Sequence, residues 1–370
     1  MRRNRKIRVA IVFGGKSTEH EVSLQSAKNV YESIDKDKYE VTLAGIDKTG
    51  KWHLSAPAQF LSYVENPKTA KIGPVKSGLA LVPGDGGRTW IDSLGRVSPG
   101  AVDVVFPVLH GTFGEDGTVQ GMLKLADVPF VGASVLGSAV GMDKDVQKRL
   151  LRDAGIPHAR FAVLTKNDLR HLSYEDLAAQ LGTPFFIKPA NLGSSVGVHK
   201  VRNDDQFKES IHDAFLYDTK VLVEEYIQGR ELECSVLGNE SPMASVAGEV
   251  IPHGHEFYSY EAKYLDENGA ILKIPADLPP ETMENVRNLA VKTFQTLCCE
   301  GMARVDLFLK EDGKLLVNEI NTIPGFTKIS MYPKLWEASG LPYKKLIDKL
   351  ITLAIQRFDR EKKLRTVYES

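Results

Sequence analysis

The sequence predicts an α/β protein, with a doubly wound parallel-sheet domain at its N-terminus followed by two α+β lobes. Three observations carry this. Apolar strand-like runs alternate with amphipathic helical stretches through the first third. The middle third is rich in strands and poor in helices. The last third holds two alternating runs, one through Arg304, Val305 and Asp306 and one through Glu319, Ile320 and Asn321. A short polar loop, Glu311-Asp312-Gly313, joins them as a hairpin. At 370 residues the chain has room for more than one core, and domains are expected at 1–133, 134–227 and 228–370.

Residues 7–13 form the first strand, ending at Gly14-Gly15, and Ser23 is expected to cap a helix with the stripe Ala27, Val30, Tyr31 and Ile34. Strands at 39–46, 102–109 and 129–131 and a helix at 119–126 continue a βαβ pattern. Residues 55–100 are rich in Gly, Pro and Ser and read as an excursion at the sheet edge. One long helix is expected at 138–154, stopped by Gly155-Ile156-Pro157. The central lobe then has strands at 161–164, 185–188 and 221–226 and a helix at 204–217. The last lobe has strands at 231–237 and 244–251, a polar loop at 252–270, a helix at 281–297, the hairpin and a closing helix at 343–358.

Composition narrows the function classes. The chain is 42% hydrophobic and 26% charged, as in ordinary globular proteins. Lys and Arg number 47 against 48 Asp and Glu, so no global basic field calls for nucleic acid. The apolar run after the basic start is too short for a signal-peptide core, and no segment has the length of a membrane span. Three cysteines, two of them adjacent at Cys298 and Cys299, give neither a disulfide framework nor zinc spacing. A cytoplasmic protein with no membrane partner is expected.

The chemistry concentrates in a few places. Alternation puts Arg304 with Asp306, and Glu319 with Asn321, on one face of the hairpin. Two carboxylates and an amide oxygen beside one guanidinium are either a hard-oxygen Mg²⁺ set or a salt-bridged cluster. Gly193-Ser194-Ser195-Val196-Gly197 follows the strand ending at Lys188 and can wrap phosphate oxygens, or be a plain turn. Lys188 in apolar company needs an anion, and Lys144 could reach the same one or be solvated. Glu224, Glu225, Tyr226 and Ile227 end a strand whose backbone could meet an adenine edge, with Glu231 beyond for ribose hydroxyls. Glu21 and His110 lie after parallel strands, on the rim where ligands of doubly wound sheets bind. Tyr258, Tyr260, Lys263 and Tyr264 could form a lid. Gly325, Ser330 and Met331 follow the hairpin, where N–H groups and a hydroxyl could take a carboxylate or oxyanion.

Seven segments together resemble the ATP-grasp superfamily and, within it, the D-alanine–D-alanine ligase family. They are FGGKSTEHEVSL (13–24), FPVLHGTFGEDG (106–117), MDKDVQKRLL (142–151), FFIKPANLGSSVGV (185–198), EAKY (261–264), GMARVDLFL (301–309) and VNEINTIPGFT (317–327). The resemblance implies an ATP-grasp fold and an ATP-dependent joining of two D-alanines for cell-wall precursor synthesis. It implies ATP contacts from Lys144, Lys188, Ser194, Ser195, Glu224, Glu225, Tyr226, Ile227, Glu231 and Lys263, and two Mg²⁺ (or Mn²⁺) on Asp306, Glu319 and Asn321. It implies a triad of Glu21, Ser194 and Tyr264 at the first D-alanine, with His110 nearby and Arg304 and Gly325 at the oxyanion. Ser330, Met331 and Lys263 would meet the second D-alanine, and a homodimer is expected. A D-lactate- or D-serine-joining relative, or a non-catalytic nucleotide sensor, is the competing reading.

Overall fold

The computed structural model describes residues 5–66, 70–73, 78–83, 90–92, 96, 101–254 and 269–368. Strand β1 (Ile7–Gly14) is almost wholly apolar and buried from Val9 onward, as a central parallel strand requires. Helix α1 (His20–Ser33) leads to β2 (Tyr39–Ile46), which pairs with β1 in parallel, and β3 (Trp52–Ser55) adds an antiparallel edge. Helix α2 (Pro57–Tyr63) and a separate small hairpin, β4 (Leu79–Leu81) with β5 (Trp90–Asp92), fill the region read as an excursion. β6 (Val104–Pro107) closes the sheet in the order β3-β2-β1-β6, and α3 (Thr118–Leu125) follows. Gly14 at φ +90 is obligatory, since a Cβ there would stand 2.2 Å from the Ile46 carbonyl oxygen. The expected helix start at Ser23 is corrected: α1 begins at His20, and Ser23 lies inside it. Its hydroxyl takes the Gly14 N–H at 2.7 Å and donates to the Val108 carbonyl.

The single helix expected at 138–154 is two, α4 (Val135–Met142) and α5 (Lys144–Asp153). Asp143 breaks it by turning extended (φ −83, ψ 102) and accepting the N–H groups of Asp145 and Val146, a local N-cap that outcompetes helix continuity. Next come β7 (Phe161–Thr165), α6 (Tyr174–Leu181), β8 (Phe185–Pro189), β9 (His199–Val201), α7 (Asp204–Tyr217) and β10 (Lys220–Glu225). They form an antiparallel sheet, β7-β10-β8-β9, with both helices packed on one hydrophobic cluster. A third, antiparallel sheet runs β13-β12-β11-β14-β15. Its strands are β11 (Arg230–Gly238), β12 (Met243–Pro252), β13 (Ala270–Lys273), β14 (Gly301–Leu309) and β15 (Leu315–Asn321). Helices α8 (Pro280–Thr296), α9 (Met331–Ala338) and α10 (Tyr343–Glu361) complete the chain.

Packing cuts across the expected domain lines. Leu346, Ile347, Leu350 and Ile351 of α10 share one core with Val9, Ile11 and Phe13 of β1, and with Met302, Ile323 and Phe326 near the hairpin. Val140 of α4 and Leu151 of α5 pack with the third sheet and α8 rather than with the central sheet. Arg357 seals the joint: buried, it lies over the Phe130 ring and donates to the carbonyls of Phe130 (2.8 Å) and Gly132 (2.5 Å). Among the described residues no helix is long and apolar enough to cross a membrane. Arg357→Ala strands two buried carbonyls and is expected to cost about 3 kcal/mol of unfolding free energy. Chemical denaturation reads this out, and an unchanged midpoint would contradict the account of the joint.

Candidate active site

The site is built on one face of the third sheet. The hairpin reading put Asp306 within about one residue of opposite Glu319; the two pair directly, and Arg304 pairs with Asn321. β11 adds Glu233 opposite Asp306, and alternation puts Glu231 on the same side. The other face sends Leu232, Val236, Val305 and Leu307 into the core under α8. Four carboxylates thus share a face with one guanidinium. Arg304 donates from Nε and Nη2 to the two Asp306 oxygens at 2.7 Å each, and Nε also lies 3.0 Å from Glu233. The Asn321 amide donates to Asp306 at 3.0 Å. Burial alone would lower the Arg304 pKa, but Asp306, then Glu233, outweigh it and hold it well above the usual value.

Cations arrive from other elements. Lys144, at the first position of α5, reaches Glu319 at 3.4 Å and donates to the Leu192 carbonyl at 2.8 Å. Lys188 on β8 ion-pairs with Glu224 on β10, and Lys148 on α5 donates to the other oxygen of the same carboxylate. Burial alone would raise the Glu224 pKa; Lys148 and Lys188 overcome it and hold it below the ordinary glutamate value. Burial opposes the charge of Lys188 too, yet Glu224, with Glu319 and Glu231, raises its pKa. Lys144 thus joins the acidic face to the Leu192 carbonyl, just before the loop 193–197. In that loop Ser194 (φ 54) and Ser195 (φ 57) hold left-handed backbone, an uncommon conformation for non-glycine residues.

Several expected residues are placed differently. Ser194 donates to Glu19, not Glu21. Glu21 points away and pairs with Lys48 at 2.6 Å, because α1 starts four residues earlier than expected, capped at Glu19 rather than Ser23, and turns Glu21 off the rim. His110 is buried with both ring nitrogens engaged, to Ser26 Oγ at 3.0 Å and to the Ile323 carbonyl at 2.8 Å. Burial lowers its pKa, and with both nitrogens engaged it ties the rim to the hairpin rather than offering a free polar contact. Glu225 is held by Arg160 at 2.6 Å, so only its backbone is left for a ligand. Tyr226 is half-exposed under the Lys200 ammonium, 4.1 Å from the ring centroid, and Ile227 is half-buried beside it. Glu231 is half-buried at the start of β11. Ser330 Oγ takes the Thr327 N–H at 3.0 Å, and a Cβ on Gly325 would stand 2.9 Å from that oxygen. The Met331 side chain turns into the core with Leu335, leaving its backbone at the start of α9. Lys263 and Tyr264, with Tyr258 and Tyr260, lie outside the described residues.

Sequence reasoning missed Glu19, Lys148, Glu233 and Glu115. Glu19 is the N-cap position of α1, Lys148 lies one helical turn past Lys144, and Glu233 alternates with Glu231. Glu115, on the rim loop, accepts the Ile323 N–H at 3.2 Å. Burial first, then Glu19, pushes its pKa well above the usual carboxylate range.

The hairpin set fits a divalent cation by its donor chemistry. Mg²⁺ is usually held by one or two carboxylates, which Asp306 and Glu319 could supply beside the Asn321 amide oxygen, and completed by phosphates and water. Among the described residues no three His, Cys, Asp or Glu side chains converge into a full metal cage. Both Asp306 oxygens carry Arg304, so a cation there competes with the guanidinium.

Residues 8–133 match the family described as D-ala D-ala ligase N-terminus, and residues 150–352 the D-ala D-ala ligase C-terminus. A D-alanine–D-alanine ligase from Oceanobacillus iheyensis is 54% identical over 361 residues, 98% of each chain. D-alanine–D-alanine ligase A of Escherichia coli is 51% identical over 98% of this chain and 99% of its own. The solved D-alanine-D-alanine ligase of Coxiella burnetii superposes with TM-score 0.85 at 42% identity, covering 97% of this chain and 96% of that one. The VanG D-Ala:D-Ser ligase of Enterococcus faecalis superposes at 0.84 with 35% identity, over 95% of this chain and 100% of its own. With the ATP-grasp fold of these neighbours and identity running the length of the chain, this protein belongs to the D-alanine–D-alanine ligase family.

Proposed function

We propose that this chain joins two D-alanines with ATP, through a D-alanyl phosphate, to give D-alanyl-D-alanine, ADP and phosphate. The observation that carries this reading is the acidic face of Arg304, Asp306, Glu319 and Asn321 set against Lys144 and Lys188, in a chain 54% identical throughout to such a ligase. A carboxylate is a poor acylating agent, so the first D-alanine is activated by taking the γ-phosphoryl group. Lys144, Lys188, Ser194 and Ser195 hold the phosphates. Glu224 and the backbone of Glu225, Tyr226 and Ile227 hold adenine, and Glu231 holds the ribose. Two Mg²⁺ or Mn²⁺ bound by Asp306, Glu319 and Asn321 would neutralise charge on the transferring group.

Glu19 takes the role expected of Glu21 and holds the first ammonium, in a hydrogen-bonded set with Ser194 and Tyr264. Its bond to Ser194 across two domains supports this. The amine of the second D-alanine attacks the acyl carbon, and Arg304 and the Gly325 N–H stabilise the oxyanion. Ser330, the Met331 backbone and Lys263 receive the second carboxylate. Lys263 and Tyr264 form part of a lid that keeps water from the acyl phosphate. The chain works as a cytoplasmic homodimer in cell-wall precursor synthesis, and its domains divide at 1–133, 134–227 and 228–370, with α4 and α5 packed on the last.

ADP release with ATP and Mg²⁺ tests the reading, with product identified by mass. Release that depends on D-alanine and not L-alanine, yielding D-alanyl-D-alanine, is expected. A D-alanyl-D-serine or D-lactate ester as the preferred product would overturn it. Glu19→Gln is expected to lower kcat/KM for D-alanine about a hundredfold by removing the ammonium's partner, with Glu21→Gln within about threefold of wild type. The reverse ranking would restore Glu21. Arg304→Ala is expected to lose about a hundredfold or more in kcat, the scale of a lost oxyanion donor. Near-normal turnover would remove it from the chemistry.

A further inference from the structure

Lys148 is fully buried yet has no part in the reaction as set out above. It sits on α5, whose Leu151 packs with the third sheet, but its ammonium crosses to the central sheet and donates to Glu224 Oε1. A weaker contact, 3.5 Å, runs to the Asn318 carbonyl on β15. Glu224 Oε2, also buried, is held by the Lys188 ammonium. One oxygen of this carboxylate is therefore fixed by Lys148, and the other, held by Lys188, keeps a second lone pair that can accept from a ligand.

We propose that Lys148 is a positioning residue for nucleotide selection, fixing Glu224 so that Oε2 accepts the exocyclic amino group of an aminopurine nucleotide. This rests on the proposed adenine contact of Glu224 and extends it to a residue that touches no substrate. A 6-oxopurine offers an acceptor at the same place and faces an acceptor-only carboxylate, which selects against it. Sites built to hydrogen-bond a substrate N–H reject analogues lacking it strongly, provided the partner group is held in place. Lys148 spans the two sheets, so the same contact sets Glu224 relative to the acidic face.

The test compares ATP with inosine triphosphate as kcat/KM in wild type, Lys148→Met and Glu224→Gln. Lys148→Met is expected to raise the KM for ATP about tenfold and to lower the ATP preference about tenfold, with kcat at saturating ATP within about threefold. A purely structural lysine would change thermal stability and leave the nucleotide ratio alone. An unchanged ratio in Lys148→Met, with a shifted one in Glu224→Gln, overturns the role of Lys148 and leaves the adenine contact standing. An unchanged ratio in both overturns the adenine contact itself. Should Lys148→Met fail to fold, Lys148→Gln, one bond shorter, is read in the same assay. A lowered ratio supports the inference, and a wild-type ratio overturns it.

Discussion

Like charge crowded on one sheet face is the constraint that organises this molecule. Glu231, Glu233, Asp306 and Glu319 stand on neighbouring strands with Arg304 as the cation among them. Buried or half-buried carboxylates at that spacing repel one another unless cations or hydrogen bonds compensate. The fold meets this by recruitment. Arg304 is clamped between Asp306 and Glu233, and Lys144 is brought in on a separate helix. The face stays biased toward negative charge, which is what a site for cation-bridged phosphates needs.

The second requirement is that three parts of the chain meet over that face. The rim of the N-terminal sheet is held there by the shared core under α10, by Arg357, and by the bonds of His110 and Glu115 to Ile323. The central sheet contributes Lys188 and the loop at 193–197, and Ser194 spans the gap to Glu19. Because Ile323 follows the acidic strand by two residues, the rim and the charged face are placed together rather than independently.

Much of this was legible in the sequence where the signal was local. Period-two alternation located the hairpin and put Asp306 within about one residue of Glu319, because strand geometry leaves little freedom once the loop is short. The apolar strand ending at Gly14 was equally plain, since a buried parallel strand has a continuous apolar run. Reading failed where a local polar competition decided the backbone. Asp143 can cap its own chain, which broke one expected helix into two. Ser23 resembled a cap but is buried inside α1, and that shift of four residues moved the rim carboxylate from Glu21 to Glu19. Lys148 and Glu115 are long-range cases: helical spacing puts Lys148 on the face of Lys144, but only the tertiary fold brings these residues to Glu224 and Ile323.

The central claim is that the acidic face holds divalent cations with nucleotide. Counting Mn²⁺ bound per chain by electron paramagnetic resonance, with a non-hydrolysable ATP analogue present, tests it most directly. The account expects two ions per chain in wild type and a clear loss in Asp306→Asn combined with Glu319→Gln, with the fold intact by circular dichroism. An unchanged count in that variant would contradict the account.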